Sequence, residues 1–167
     1  CDSYASSSHK WLLAPKGSGL LHLRKERQKT VRPVLVAGGF RAYTGHTGTR
    51  NFPSMIGHGL AVDWHAAIGP ERVEKRVLAL AEFCREQLSA FRSIELLHSA
   101  PPAMRSAIVS ARLTGHKAAA VYKALQKKRI VVRVLPRRNA LRISTHVYSD
   151  ESDIARLVEA LKAQGIR

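Results

Sequence analysis

The sequence is short of cysteine, of acid and of aromatic rings, and each shortage removes a class of function. Its 167 residues include two cysteines, Cys1 and Cys84. Thiols so far apart form no CxxC pair and no zinc-ligand spacing, and two cannot build a disulfide framework. Cys84 falls on the apolar face of an expected helix, where a thiol behaves as a small hydrophobe. The histidines His22, His46, His58, His65, His98, His116 and His146 follow no HExxH or comparable spacing, so no metal site is expected. No run reaches the eighteen or so apolar residues of a membrane span, and the start lacks a basic stretch followed by an apolar one. A cytoplasmic location and no membrane partner are therefore expected. There is no Gly-x-Ser-x-Gly elbow. Pro15, Gly17 and Gly19 precede a strand rather than a helix, so they read as a turn and not as a phosphate-cradling loop.

Acid is the deepest shortage: 12 Asp and Glu stand against 28 Lys and Arg, a formal charge of +16. Such a surplus points to an anionic partner or a biased surface. The cations run from Lys10 to Arg167, densest at 127–129 and 137–138. They accompany no zinc-finger spacing, recognition helix or aromatic RNA-binding stretch. The charge by itself supports weak, salt-sensitive binding, which leaves a basic nucleic-acid-binding module as an alternative and not the main reading.

What is present is organised. GLLHLRKE alternates Leu21 and Leu23 with His22 and Arg24, the period of a half-exposed strand. Residues 31–52 are rich in Gly and Thr without helical period and read as loop. A helical pattern begins near Ser54, pauses at Ile68 and Gly69, and restarts with Pro70, whose missing N–H costs nothing at a first-turn position. In the second helix Val73, Val77, Leu80, Cys84 and Leu88 share one stripe, with Glu71 and Glu74 near the positive end of the helix dipole. Strands are expected at 93–98 and 107–113, a helix over 116–128, then strands at 130–135 and 140–145. A last helix carries Ile154, Leu157, Val158 and Leu161 on one face, with Asp150 and Glu151 at its start and Gly165 at its end. From residue 70 the order is helix, two strands, helix, two strands, helix, which fits a small α+β sandwich. Residues 1–69 hold too few elements to close a core and read as the end of a larger domain.

The chemistry gathers in SSSHKWLLAPKGSG. A lysine amine attacks carbonyl carbon when burial or nearby cations keep part of it neutral. Lys10 has His9 and the hydroxyls of Ser6, Ser7 and Ser8 beside it, donors suited to an anion, and Trp11, Leu12 and Leu13 would set it at the border of a core. In isolation such a serine run is an ordinary loop.

Read in order, Ser-x-His-Lys-Trp-Leu, Pro-x-Gly-x-Gly, a Gly-Thr loop and Leu-Arg-Ile-Ser-x-x-x-Tyr before an acid-capped helix resemble the class V aminotransferases, closest to their isopenicillin N epimerase-like branch. The likeness runs from Cys1 to the last helix. It implies a pyridoxal-phosphate enzyme of the α/β fold type I, represented by its C-terminal portion. Residues 1–69 would be the end of the cofactor-binding large domain, and residues 70–167 the small C-terminal α+β domain. By the same likeness Lys10 would bond the cofactor as a Schiff base and act as the base at the substrate carbon. Ser7 and His9 would contact the cofactor phosphate. Gly48 and Thr49 would reach the phosphate held by the other subunit of a homodimer, a glycine before a hydroxyl letting backbone approach an anion. Arg142 would grip the α-carboxylate of an amino-acid substrate through a planar fork. Asn51 stands where epimerase-like proteins commonly carry Asp. Cysteine desulfurases share the pattern but need a thiol shortly before the carboxylate arginine, and KKRIVVRVLPRRNALR has none. The groups that hold the cofactor ring precede the lysine in these enzymes, so the chain is expected to be inactive without that half.

Overall fold

The computed structural model describes residues 1–31, 50–97 and 101–167. It divides into two compact units, Cys1–Gly69 and Pro70–Arg167.

The first unit opens on an antiparallel hairpin, β1 (Ser3–Ser7) with β2 (Gly19–Leu23), in the register Ser3↔Leu23 to Ser7↔Gly19. β2 is the expected strand. β1 is a correction, because its serines have little intrinsic preference for a strand and the pairing with β2 decides the matter. Most of the expected 31–52 loop lies outside the described residues. Helix α1 (Phe52–Ile68) follows, with Asn51 as its cap, the side-chain oxygen accepting from the Ser54 N–H at 3.1 Å. Among the described residues this unit buries only Ser8, Ala14 and Leu23, and α1 buries none of its side chains. Its Phe52, Ile56 and Leu60 are all about 64–65% exposed.

The second unit is an α+β sandwich. Helix α2 (Pro70–Ser89) buries Val77, Leu80, Ala81, Cys84 and Leu88, the 3.6-residue stripe expected of it, and Val73 is half-buried. Strands β3 (Ile94–Leu96), β4 (Ile108–Leu113), β5 (Arg133–Leu135) and β6 (Ala140–Ser144) form one antiparallel sheet in the order β3-β4-β6-β5. Helices α3 (Ala118–Lys127) and α4 (Glu151–Lys162) join α2 around the core, where Leu88, Leu125, Leu141 and Leu161 meet Val109, Ala111, Leu113 and Ile143 from the sheet. Two strands are shorter than their apolar runs suggest. The ladder with β6 ends at Arg133, leaving Val131 84% exposed. His98 lies outside the described residues.

Polar contacts fasten the sandwich. Asn139 takes a left-handed backbone at φ 46° between β5 and β6, a region that Asn tolerates better than most residues. Its Nδ2 donates to the carbonyls of Leu113 and His116, each at 2.8 Å, and its Oδ1 accepts from the Ala118 N–H at 2.9 Å. That last bond caps α3, whose preceding Lys117 offers no side-chain cap. Asp150 caps α4, accepting from Ser152 Oγ at 2.6 Å and from the N–H groups of Ser152 and Asp153, while Asp153 reaches back to the Asp150 N–H. Arg76 ties α2 to this cap through both oxygens of Glu151, at 2.7 and 3.1 Å, and the Ser149 carbonyl at 3.3 Å. Among the described residues no helix is long and apolar enough to cross a membrane.

Leu125 is fully buried, so Leu125→Ala should lower the unfolding free energy by about 2–5 kcal/mol, read by urea titration. The bonds from Ser152 and then Asp153 hold the Asp150 carboxyl below its ordinary range. A depressed folded-state pKa adds stability above the unfolded value, near 4, and loses it as the pH falls through the folded one. Asp150→Asn keeps a capping oxygen without the charge, and the thermal midpoint of that variant should fall less steeply below pH 4. Two glycines of α1 make a matched pair. A Cβ on Gly57 would sit 2.6 Å from Cγ of Pro15, while one on Gly59 meets nothing within 4 Å. Gly59→Ala should therefore stabilise by about 0.5–1 kcal/mol through helix propensity, and Gly57→Ala should destabilise. Equal shifts would refute the packing of α1 on the Pro15 turn.

Candidate functional site

Lys10 stands in the compact connection between β1 and β2. Directly after β1 the Ser8 N–H bonds the Ser18 carbonyl at 3.1 Å, and the Ala14 N–H returns to the Ser8 carbonyl at 3.1 Å, so both ends of the connection are tied to one residue. Inside it the Leu13 N–H closes a turn on the Lys10 carbonyl at 3.1 Å, with Leu13 itself at φ 60°. A second turn runs from Pro15 to Ser18, its N–H donating to the Pro15 carbonyl at 3.2 Å and its Oγ donating to the same oxygen at 2.6 Å. Gly17 takes φ 84° at the third position of that turn, the sign that a type II turn demands. The lysine is thus carried on a short, internally bonded platform and not on a free loop.

Lys10 and His9 are exposed, as is Ser7 at the end of β1, and Ser8 between them is 2% exposed. The Ser8 Oγ has no hydrogen-bond partner among the described residues, and a buried hydroxyl without one is costly enough to need a reason. The expected core border is not formed by the described residues of this unit: Trp11 and Leu13 are 39% and 42% exposed, with Leu12 half-buried. The turn from Lys10 to Leu13 directs them outward, and few elements are present to cover them. Together the primary amine, imidazole and hydroxyls make a donor set able to bond an aldehyde and to hold an anion. Gly48 and Thr49 lie outside the described residues. Asn51 caps α1, a task that Asp performs equally well.

Arg142 belongs to the second unit, in the middle of β6. Leu141 and Ile143 on either side of it enter the core, so the arginine points to the opposite, exposed face of the sheet, in register with Ser110 of β4 and Arg133 of β5. Two residues escaped notice in the sequence. Arg133 looked like one cation among many, since its position opposite Arg142 exists only in the paired sheet. Asn139 left a trace, an Asn in a Pro-Arg-Arg-Asn turn, but its partners are far away along the chain. Beyond β6, His146 is buried, accepts at Nδ1 from the Val147 N–H and stacks on Tyr148 with ring centres 4.5 Å apart. Burial pushes the Cys84 thiol up to about 11, against a smaller opposing effect of Arg85, so it stays protonated at neutral pH and is no nucleophile. A cavity of about 430 Å³ lined by Gln87, Phe91, Val158, Lys162 and Ile166 contains none of the expected site residues. Among the described residues no group of three or more His, Cys, Asp or Glu could hold a metal ion.

Comparison with known proteins covers nearly the whole chain. The aminotransferase class-V family model matches residues 1–157. The isopenicillin N epimerase of Amycolatopsis lactamdurans is 37% identical across 97% of this chain and 46% of its own length. A probable cysteine desulfurase of Chlamydia trachomatis is 29% identical across 96% of this chain and 46% of its own. The chain therefore spans about half the length of the curated relatives it matches. Among solved structures, a cystine C-S lyase superimposes with a TM-score of 0.84 at 22% identity, covering 96% of this chain and 46% of that one. That lyase was solved with its product cysteine persulfide and, in a variant, with glycine covalently linked to its PLP cofactor. At this identity the likeness bears on architecture, the α/β fold type I of pyridoxal-phosphate enzymes. The sequence match carries further: the chain belongs to the class V aminotransferase family, whose enzymes depend on pyridoxal phosphate.

Proposed function

We propose that this chain is the lysine-bearing, C-terminal portion of a pyridoxal-phosphate-dependent class V enzyme that acts on an amino acid, epimerase-like in its reaction. The observation that carries the reading is Lys10 on its bonded platform, next to the buried hydroxyl of Ser8, which has no partner among the described residues, in a chain that matches the family over residues 1–157. The residues present fit the cofactor: an exposed amine for its aldehyde, and hydroxyl and imidazole donors for its phosphate. When bound, the cofactor supplies an electron sink for the carbon next to the substrate nitrogen.

The work of the chain's own residues follows. Lys10 would hold the cofactor through its aldehyde, and its amine, once free, would take the proton from the face of the substrate α-carbon that it meets; inversion requires the proton to return on the opposite face. Ser7 and His9 hold the phosphate. Gly48 and Thr49 serve the phosphate bound by the partner in a cytoplasmic homodimer. Arg142 binds the α-carboxylate with two parallel bonds, which fix the orientation of the substrate as well as its charge. In this reading residues 1–69 end the cofactor-binding domain and residues 70–167 form the small domain. The 37% identity to an isopenicillin N epimerase supports return of the proton to the α-carbon as the outcome.

Carbon–sulfur cleavage is the second reading, supported by the desulfurase relatives and the lyase neighbour. Neither residues 127–142, which contain no cysteine, nor Cys84, which is buried and protonated, offers a thiol for it. A polyanion-binding module is the reading from outside enzymology, and salt separates it: binding by phosphate contacts falls linearly on a log–log scale, whereas a covalent adduct persists.

The chain mixed with pyridoxal phosphate, reduced with borohydride and mapped by peptide analysis should carry its label at Lys10, and Lys10→Ala should lose it. Label spread over the lysines without preference for Lys10, also in the enzyme completed with its ring-binding half, would refute the assignment. In the enzyme completed with its ring-binding half, Arg142→Ala should raise KM roughly ten- to a hundredfold, the loss of a charge-assisted contact.

A further inference from the structure

The second unit carries a cavity of about 430 Å³ whose lining includes none of the residues placed in the reaction. Its floor is apolar, made by the buried side chains of Phe91 after α2, Val158 on α4 and Ile166 beyond α4. Its polar lining is of one kind: Gln87, Lys162 and Arg167 bring donors, and no acidic residue lines the cavity. An apolar floor with a few polar groups, at this volume, is the make-up of a small-molecule site.

Backbone bonds fix the walls. Gly165 takes φ 75°, the left-handed conformation in which helices end most readily on glycine. The chain then turns Ile166 onto the core, its N–H reaching the Leu161 carbonyl at 3.4 Å, and the Ser93 N–H holds the main-chain oxygen of Arg167 at 2.6 Å. The same turns weaken what would oppose an anion. A helix C-terminus disfavours negative charge through its free carbonyls. Here the carbonyls of Glu159, Leu161 and Lys162 accept from the N–H groups of Ala163, Gln164 and Gly165 at 2.9–3.1 Å, and that of Leu88 accepts from Phe91 at 3.2 Å. Lys162 meets Glu159 at 2.8 Å with both side chains more than half exposed, an ion pair that contributes little in water and yields to a better-placed anion. Arg167 has no acidic partner among the described residues.

We infer that this cavity binds a small carboxylate carried on an apolar body, the body against Phe91, Val158 and Ile166 and the carboxylate accepting from Lys162, Arg167 and Gln87. A cationic ligand would meet two like charges, a neutral one would leave both cations unused, and a bare anion would leave the apolar floor in water. The site needs neither Lys10 nor pyridoxal phosphate.

The test uses the whole chain at fixed ionic strength, titrated with hydrocinnamate, with the matching alcohol and with propionate, and followed by the methyl resonances of Val158 and Ile166. Hydrocinnamate should bind about tenfold or more tightly than propionate, through burial of its ring. It should bind about fivefold or more tightly than the alcohol, the difference between a charge-assisted and a neutral hydrogen bond. Lys162→Gln combined with Arg167→Gln should bring the acid down to the level of the alcohol and leave the alcohol unchanged. Ala90 also lines the cavity and is exposed, so Ala90→Trp fills the space without altering charge or core. That variant should keep the thermal midpoint of the parent and lose hydrocinnamate binding about tenfold or more. Equal binding of hydrocinnamate and propionate, the mark of general attraction to a basic chain, would overturn the proposal. So would equal binding of acid and alcohol, full affinity in Ala90→Trp, or no binding of any probe.

Discussion

The amide of Asn139 uses both of its donors and its oxygen on backbone groups of other segments: the carbonyls of Leu113 and His116 and the N–H of Ala118. Those three bonds join the end of β4, the start of α3 and the β5–β6 connection at one point. The geometry of the candidate carboxylate site descends from it. With the turn set at Asn139, Ala140 falls opposite Leu135, Leu141 opposite Val134 and Arg142 opposite Arg133. A slip of one residue would turn Arg142 into the core and Leu141 out to solvent. Burial of Leu141 and Ile143 therefore protects the position of a charged residue that never enters the core.

The first unit solves a different problem with similar means. It buries little, so Lys10 is held by the backbone bonds at Ser8, Leu13 and Ser18 and by the contact of Pro15 with Gly57. A reactive amine benefits from such placement, because orientation contributes to rate only if the group stays where the substrate arrives. The exposed apolar residues of α1 and the unpartnered Ser8 hydroxyl belong to the same description: a site whose donors are set out and whose surroundings exceed the described residues.

The charge surplus, the most conspicuous property of the composition, divides once contacts are known. Some cations are structural, as Arg76 at the α4 cap and Arg85, which bridges Glu82 and the Ser106 carbonyl. The pair at 133 and 142 has no acidic partner among the described residues. Composition records only that cations are many. The contacts separate those that have an acidic partner from those that face solvent.

Much of the second unit was legible in the sequence, because its signals are local. The stripe of α2, the acidic start of α4 and the alternation in β4 and β6 each arise from residues a few positions apart, and periodic burial follows from helix and strand geometry. Lys10 stands out as a candidate through an ordered set of motifs and not through its surroundings, since a serine run before His-Lys carries no structural signal of its own. The strand β1, the helix cap supplied by Asn139 and the juxtaposition of Arg133 with Arg142 were decided only by the tertiary structure. Each depends on partners from 9 to more than 20 positions away, as in the registers Arg133↔Arg142 and Ser3↔Leu23, and no local preference encodes which residue will stand opposite another. Helical faces are written in the spacing of the chain, whereas cross-strand neighbours come into being only when the strands pair.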